Sequence, residues 1–265
     1  MGEANAKATD KRKVSAVHMT GTSSIPAPVQ KSQTPARHKL EKRRPVLVVL
    51  AGVNGAGKSS IGGHLLTQAD MSWFNPDTYA RELVQRYGHD PQQANIAAWN
   101  EGVRRLDHAM MTGADHAFET TLGGHTIVKK LIAAAATHDV MVWFCGLRDA
   151  QQHIERVRQR VSHGGHDIPE ERIRERCQTS VLNLLRLMPH LTQLRVYDNS
   201  VQVAAGSPLP EPRLVLYIKH ATQLFPRTLH EARDTPDWAK PIVEAAYQAS
   251  AQAAHSLPDG PHSRR

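Results

Sequence analysis

The strand-like run Val46-Leu47-Val48-Val49-Leu50 feeds straight into Gly52-Val53-Asn54-Gly55-Ala56-Gly57-Lys58-Ser59, which fits the pattern G-x-x-x-x-G-K-[ST]. No other segment constrains the fold as tightly, since the pattern calls for a buried strand on one side and a helix on the other. The glycines let consecutive amide N–H groups point inward as a nest at the helix start, where the dipole also favours negative charge. A polyphosphate fits such a nest. Gly52, Asn54, Gly55, Ala56, Gly57, Lys58, Ser59 and Ser60 are therefore the candidate nucleotide-binding residues. Lys58 would lie along the β and γ phosphates, and the Ser59 hydroxyl would ligate Mg²⁺. A plain glycine turn, the alternative, needs neither the lysine nor the hydroxyl.

From Pro45 onward, strand candidates at Val46 to Leu50, His116 to Thr120, Val140 to Cys145, Leu194 to Tyr197 and Leu214 to Ile218 alternate with stretches long enough for helices. Such alternation predicts an α/β fold with right-handed crossovers, a mostly parallel sheet and helices on both faces. Ligands then sit at the carboxyl ends of the strands. A helix expected from about Ala150 to Val161 carries Ile154, Val157 and Val161 on one face and Arg156 and Arg160 on another. It breaks at Gly164-Gly165, and a second helix opens at Pro169-Glu170-Glu171 with acids that complement its dipole. Arg172, Arg174 and Arg176 lie on the polar side of that second helix. Two arginine-bearing helices joined by a glycine hinge have the character of a lid.

Of 33 basic and 25 acidic residues, residues 1 to 44 hold 10 and 3, which leaves 23 and 22 for the rest. The body is nearly neutral, which argues against a nucleic-acid groove on it. The arm 1–44 lacks apolar periodicity and reads as disordered, able to grip nucleic acid or an anionic surface. Residues 45–255 read as one α/β domain and 256–265 as a frayed tail. No apolar run is long enough to span a bilayer, and the two cysteines, Cys145 and Cys177, form no C-x-x-C pair. A reducing cytoplasm fits this best.

Beyond the loop, Trp73-Phe74-Asn75-Pro76-Asp77 runs an aromatic pair into a proline turn that presents a carboxylate. Asp77 is a candidate general base facing a γ-phosphate, or else the N-cap of a helix beginning near Tyr79. Glu119, Thr120 and Thr121 close a strand and suit a hydroxylated acceptor or a Mg²⁺-bound water, or else cap the next helix. Phosphoryl transfer needs cations on the equatorial oxygens, and guanidinium suits them. Arg160, just before the hinge, is the first candidate and Arg174 the second, with Arg172 and Arg176 as competitors. His163 and His166 flank the hinge glycines without further ligands at useful spacing, so a metal there is discounted.

Gly52 to Ser60, Asn75-Pro76-Asp77, Phe118-Glu119-Thr120-Thr121, Arg156-Val157, Arg160-Val161 before Gly164-Gly165-His166, Ile168-Pro169-Glu170 and Tyr197-Asp198-Asn199-Ser200 together resemble the zeta-toxin family of P-loop kinases. Pro236-Asp237-Trp238-Ala239 extends the likeness. The resemblance implies a three-layer P-loop kinase-like sandwich with a helical lid. It also implies ATP- and Mg²⁺-dependent phosphorylation of the sugar 3′-hydroxyl of UDP-N-acetylglucosamine, and a small separate antitoxin as partner. Carried over, Lys58 and Ser59 hold phosphate and Mg²⁺, Asp77 is the base, Glu119, Thr120 and Thr121 serve the acceptor, and Arg160 is the lid arginine. Two rival readings are a same-fold kinase for another hydroxyl, and a nucleotide-switched binding protein whose arm carries the function.

Overall fold

The computed structural model describes residues 43–68, 71–165, 167–201 and 211–255. Most of the basic arm, the tail 256–265 and His166 lie outside these residues. Arg43 and Arg44, grouped with the arm on charge, form ion pairs with Asp115 and Asp139.

Among the described residues, six strands form one sheet in the order β2-β1-β3-β4-β5-β6. The strands are β1 Val46–Ala51, β2 His116–Thr120, β3 Asp139–Gly146, β4 Gln193–Asp198, β5 Arg213–Lys219 and β6 Thr222–Phe225. The first four pair in parallel, while β4–β5 and β5–β6 are antiparallel. The sheet is thus mostly parallel, as the alternation predicts, but β5 enters from the opposite end. Strand β1 sits between two neighbours and is buried on both faces, which explains its unbroken apolar run. Leu47, Val49 and Ala51 join the large core with Phe118, Phe144 and Leu184, whereas Val48 and Leu50 face Leu66 on the other side.

The helices are α1 Lys58–Gln68, α2 Pro76–Tyr87, α3 Pro91–Thr112, α4 His125–Ala134, α5 Ala150–Ser162, α6 Glu170–Leu187, α7 Leu229–Ala232 and α8 Lys240–His255. Each of α2 and α3 has a side-chain cap, a proline in its first turn and a left-handed glycine at its end: Asn75, Pro76 and Gly88 for α2, and Asp90, Pro91 and Gly113 for α3. Helix α2 therefore starts earlier than near Tyr79, and Asn75 caps it instead of Asp77. Together α2 and α3 make a hairpin packed through Ala80, Ala94 and Ala98.

The register aligns the carboxyl ends of the parallel strands on one rim. Leu50 pairs with Glu119, Ala51 with Thr120 and Phe144, and Gly146 with Asp198. Everything that follows is built on that rim. Among the described residues no helix is long and apolar enough to cross a membrane.

Candidate nucleotide and phosphoryl-transfer site

Gly52, Gly55 and Gly57 all adopt positive φ, at 134°, 83° and 85°. Side chains could not fit there in any case: a Cβ on Gly52 would strike the Cys145 carbonyl, and one on Gly57 would strike the Asn199 amide. Two outer groups fix the loop between them. Nδ1 of His153, on α5, lies 2.8 Å from the Asn54 carbonyl, and the Asn199 amide donates to the Ala56 carbonyl at 2.9 Å. Burial, reinforced by the charges of Lys58 and Arg156, pushes the His153 pKa down to about 4. The ring is therefore neutral at physiological pH, with Nδ1–H as donor. Val53 points the other way, into a small apolar cluster with Ile154, Val157, Ile168 and Ile173. That contact seats both lid helices on the loop.

Lys58 Nζ lies 3.4 Å from the Val53 carbonyl, across its own loop. Ser59 Oγ accepts from the Asn75 amide at 3.3 Å, while Asn75 Oδ1 accepts from the Thr78 amide N–H at 3.2 Å. One asparagine thus caps α2 and ties it to the candidate Mg²⁺ ligand. Asp77 follows in the first turn of α2, with its carboxylate 3.5 Å from the Arg160 guanidinium. Both are roughly 40 % exposed, at 45 % and 37 %. Asp77 borders a cleft of about 210 Å³ whose wall also includes Arg81, Asn95, Gly164 and Gly165. Gly164 takes a left-handed φ of 82°, and the bare Cα of Gly165 lies against the Arg160 stem, so the hinge glycines aim this arginine.

The three arginines of α6 occupy different environments. Arg176 is half-buried and donates to the Asn54 side-chain oxygen at 2.7 Å. Burial and the neighbouring charge of Arg172 lower its pKa, against the favourable charge of Asp77. Arg174 instead lies on the outer side, 3.4 Å from Gln151 and 4.0 Å from Glu170. Arg172 is exposed. Of the competing arginines, Arg176 is the one the structure brings to the loop, and Arg174 is not brought there.

Glu119 is buried at the end of β2 and accepts from the Trp73 indole at 3.2 Å. Its own amide donates to Phe74, so the Trp73–Asn75 segment is attached to this strand. The Thr120 and Thr121 hydroxyls accept from the amides of Leu122 and Gly123, and they organise the turn into α4. Leu122 there has a left-handed φ of 56°, held from α6 by Ser180 on the Thr121 carbonyl and Asn183 on the Leu122 carbonyl. His163 closes α5 by bonding the Gln159 carbonyl. Among the described residues no cluster of His, Cys, Asp or Glu could hold a metal.

Sequence reasoning passed over His153, Ser180 and Asn183, polar residues on apolar helix faces that carry no pattern of their own. It offered the α2 cap to Asp77, although an asparagine before proline is itself an N-cap signal that points to Asn75.

The family profile described as an AAA domain matches residues 47–180, from β1 into α6. A search of curated proteins finds no match. Among solved structures, the AvrRxo1-ORF1:-ORF2 complex with ATP superposes with a TM-score of 0.53 at 14 % identity, covering 80 % of this chain and 76 % of that one. The same complex with sulphate ions gives 0.52 at 14 %, with coverage of 80 % and 76 %. The PezAT toxin-antitoxin system of Streptococcus pneumoniae is a more distant likeness, with a TM-score of 0.44 at 14 % identity over 83 % and 91 % of the two chains. At such identity the AvrRxo1 likeness speaks to the fold. With the matched profile spanning just over half its length, the chain belongs to the AAA domain family, on an α/β P-loop kinase-like fold.

Proposed function

We propose that the protein is an ATP- and Mg²⁺-dependent kinase that phosphorylates the sugar 3′-hydroxyl of UDP-N-acetylglucosamine or a related UDP-sugar, acting in the cytoplasm. The observation that carries this reading is the Asp77–Arg160 pair at 3.5 Å, with Asp77 on the wall of a cleft and joined through Asn75 to Ser59. A carboxylate, a guanidinium, a phosphate nest and a metal-ligating hydroxyl are the parts that phosphoryl transfer to an alcohol requires.

The donor set fits MgATP. The glycine cradle has no room for side chains, its amides begin α1, and Lys58 and Ser59 follow directly. Bound Mg²⁺ would neutralise charge on the β and γ phosphates, with Ser59 as its protein ligand. The protein's own groups do the remaining work. Asp77 accepts the proton of the acceptor hydroxyl, and Arg160 and Arg176 stabilise charge on the transferring phosphoryl group. Glu119, held by Trp73, and the Thr120–Thr121 turn serve the acceptor side. We assign Arg176 as the second lid arginine because it already reaches the loop, whereas Arg174 pairs outward.

The AvrRxo1-ORF1 relative was crystallised with ATP and with a second chain, ORF2. That supports ATP as donor and a small separate antitoxin as partner of this protein. Incubation with ATP, Mg²⁺ and a panel of UDP-sugars, read by mass spectrometry, tests the proposal. A product heavier by one phosphoryl group is expected with UDP-N-acetylglucosamine or a close analogue. Phosphorylation of some other hydroxyl compound alone would overturn the acceptor, and ATP binding without transfer to any acceptor would overturn the kinase reading.

A further inference from the structure

Beside the phosphate loop, a cavity of about 520 Å³ opens between the carboxyl end of β3, α5, α6 and the start of α8. Its walls are largely apolar, with Val53, Phe144, Val181, Leu185 and Trp238 among them. It contains none of Lys58, Ser59, Asp77 or Arg160, so it is not an extension of the cleft described above. The volume falls within the range of small-molecule sites, roughly 300–1,000 Å³.

One polar group gives the cavity its chemistry. His153 is only 3 % exposed and lines the wall, while its Nδ1 faces the Asn54 carbonyl. A carbonyl oxygen only accepts, so the proton resides on Nδ1 and Nε2 is left as an acceptor. Among the described residues Nε2 makes no hydrogen bond. Asp149 and Asp237 also border the cavity, but each carboxylate is paired with a cation, Arg148 and Lys240, so their charges are answered locally and the largely apolar walls favour a neutral molecule. Asn54 in turn receives Arg176 on its side chain, so cavity, loop and lid arginine lie along one chain of contacts.

We propose that this cavity is an effector site for a flat, neutral aromatic molecule that donates an N–H or O–H to Nε2 of His153 and steadies the phosphate loop through the Nδ1–Asn54 bond. A donor at Nε2 selects the tautomer that already holds the loop. The ligand and nucleotide should therefore reinforce each other, and by linkage each raises the other's affinity by the same factor.

Indole and 1-methylindole, which differ in the N–H donor, test this on the full chain by calorimetric titration and by the imidazole ¹⁵N resonances of His153. Indole is expected to bind at least about 10-fold more tightly than its methylated analogue, since a buried acceptor left unpaired is costly. It should also shift the Nε2 resonance and raise ATP affinity about 5-fold or more. Ala150→Phe, which fills the cavity from the first turn of α5, should abolish indole binding while leaving ATP binding intact, and Leu182→Trp on the opposite wall should do the same. Equal affinity for the two indoles, no binding at millimolar concentration, or binding that survives both fillings would overturn the site. Binding without any change in ATP affinity would overturn the coupling. Since ligand and ATP binding are read directly, a failure to find a sugar acceptor would leave this test unaffected.

Discussion

Acidification should destabilise this protein through His153. In the unfolded chain the imidazole takes up a proton near pH 6.5, whereas in the folded chain burial delays that to about pH 4. Between those values the unfolded state binds more protons, so stability is complete above pH 6.5 and falls as the pH drops towards 4. Integrated over this window, the loss between pH 7.5 and pH 5 is about 2 kcal/mol, or roughly 4–8 °C in Tm for a domain of this size. Urea unfolding at pH 7.5, 6.5, 5.5 and 5.0 reads it out. The comparison is His153→Asn, whose amide can donate to the Asn54 carbonyl in place of Nδ1 but does not titrate. The variant is expected to start less stable because it leaves a void, so the diagnostic is the slope and not the level. Half-buried His116, whose pKa burial likewise lowers, is present in both proteins and cancels. Parallel pH dependence in wild type and variant would refute the reasoning, and with it the neutral, loop-holding histidine.

Asp77→Asn should give a stable protein that binds ATP but transfers phosphate roughly 10²–10⁴-fold more slowly, because the cap belongs to Asn75 and the change removes the proton acceptor and a partly exposed ion pair with Arg160 that contributes little to stability. Near-normal rates would leave the chain without an identified base. Arg176→Ala should lower kcat at least about 10-fold with a smaller change in ATP affinity, while Arg174→Ala stays within a few-fold; steady-state kinetics of the pair would expose a reversed order. Lys58→Ala should abolish turnover with an unchanged circular dichroism spectrum and melting temperature, since it removes a phosphate ligand and no core volume. Deleting residues 1–42, which spares the Arg43 and Arg44 ion pairs, should leave kcat and Tm nearly unchanged, and a large loss of either would show that the arm supports the domain.

The framework was legible wherever a residue's role is repeated along the chain. Strand β1 announced itself because both its faces are covered, and α5 and α6 because their apolar stripes recur at helical spacing. Helix α3 left a fainter trace, as its buried side chains are mostly alanines, and alanine reads the same in a core as on a surface. The antiparallel entry of β5 leaves no mark at all in its apolar pattern. Within the site, glycines, Lys58 and Ser59 are tied to a local geometry and so to a local pattern. Arg176 and Arg174 differ only in which side of one helix meets the loop. That is decided by Ile173 and Cys177 packing on the Val53 cluster, a contact that spans more than a hundred residues of sequence.

The grip of Ser180 and Asn183 on the Thr121–Leu122 turn fixes where the lid can pivot. A flap hinged at the base of α6 would have to tear both bonds and release Leu122 from its left-handed turn. The far half of α6 therefore stays with the sheet as an anchored post, and only the end of α5 and the first turns of α6 remain to move. Opening becomes a local loosening around Arg160, not a swing of one body against another, and its cost is set by the few apolar contacts of Val53. In the proposed kinase, product departure would then be governed by the stickiness of a small greasy patch, which makes Ile168 and Ile173, far from the proposed proton transfer, the residues through which turnover would be tuned.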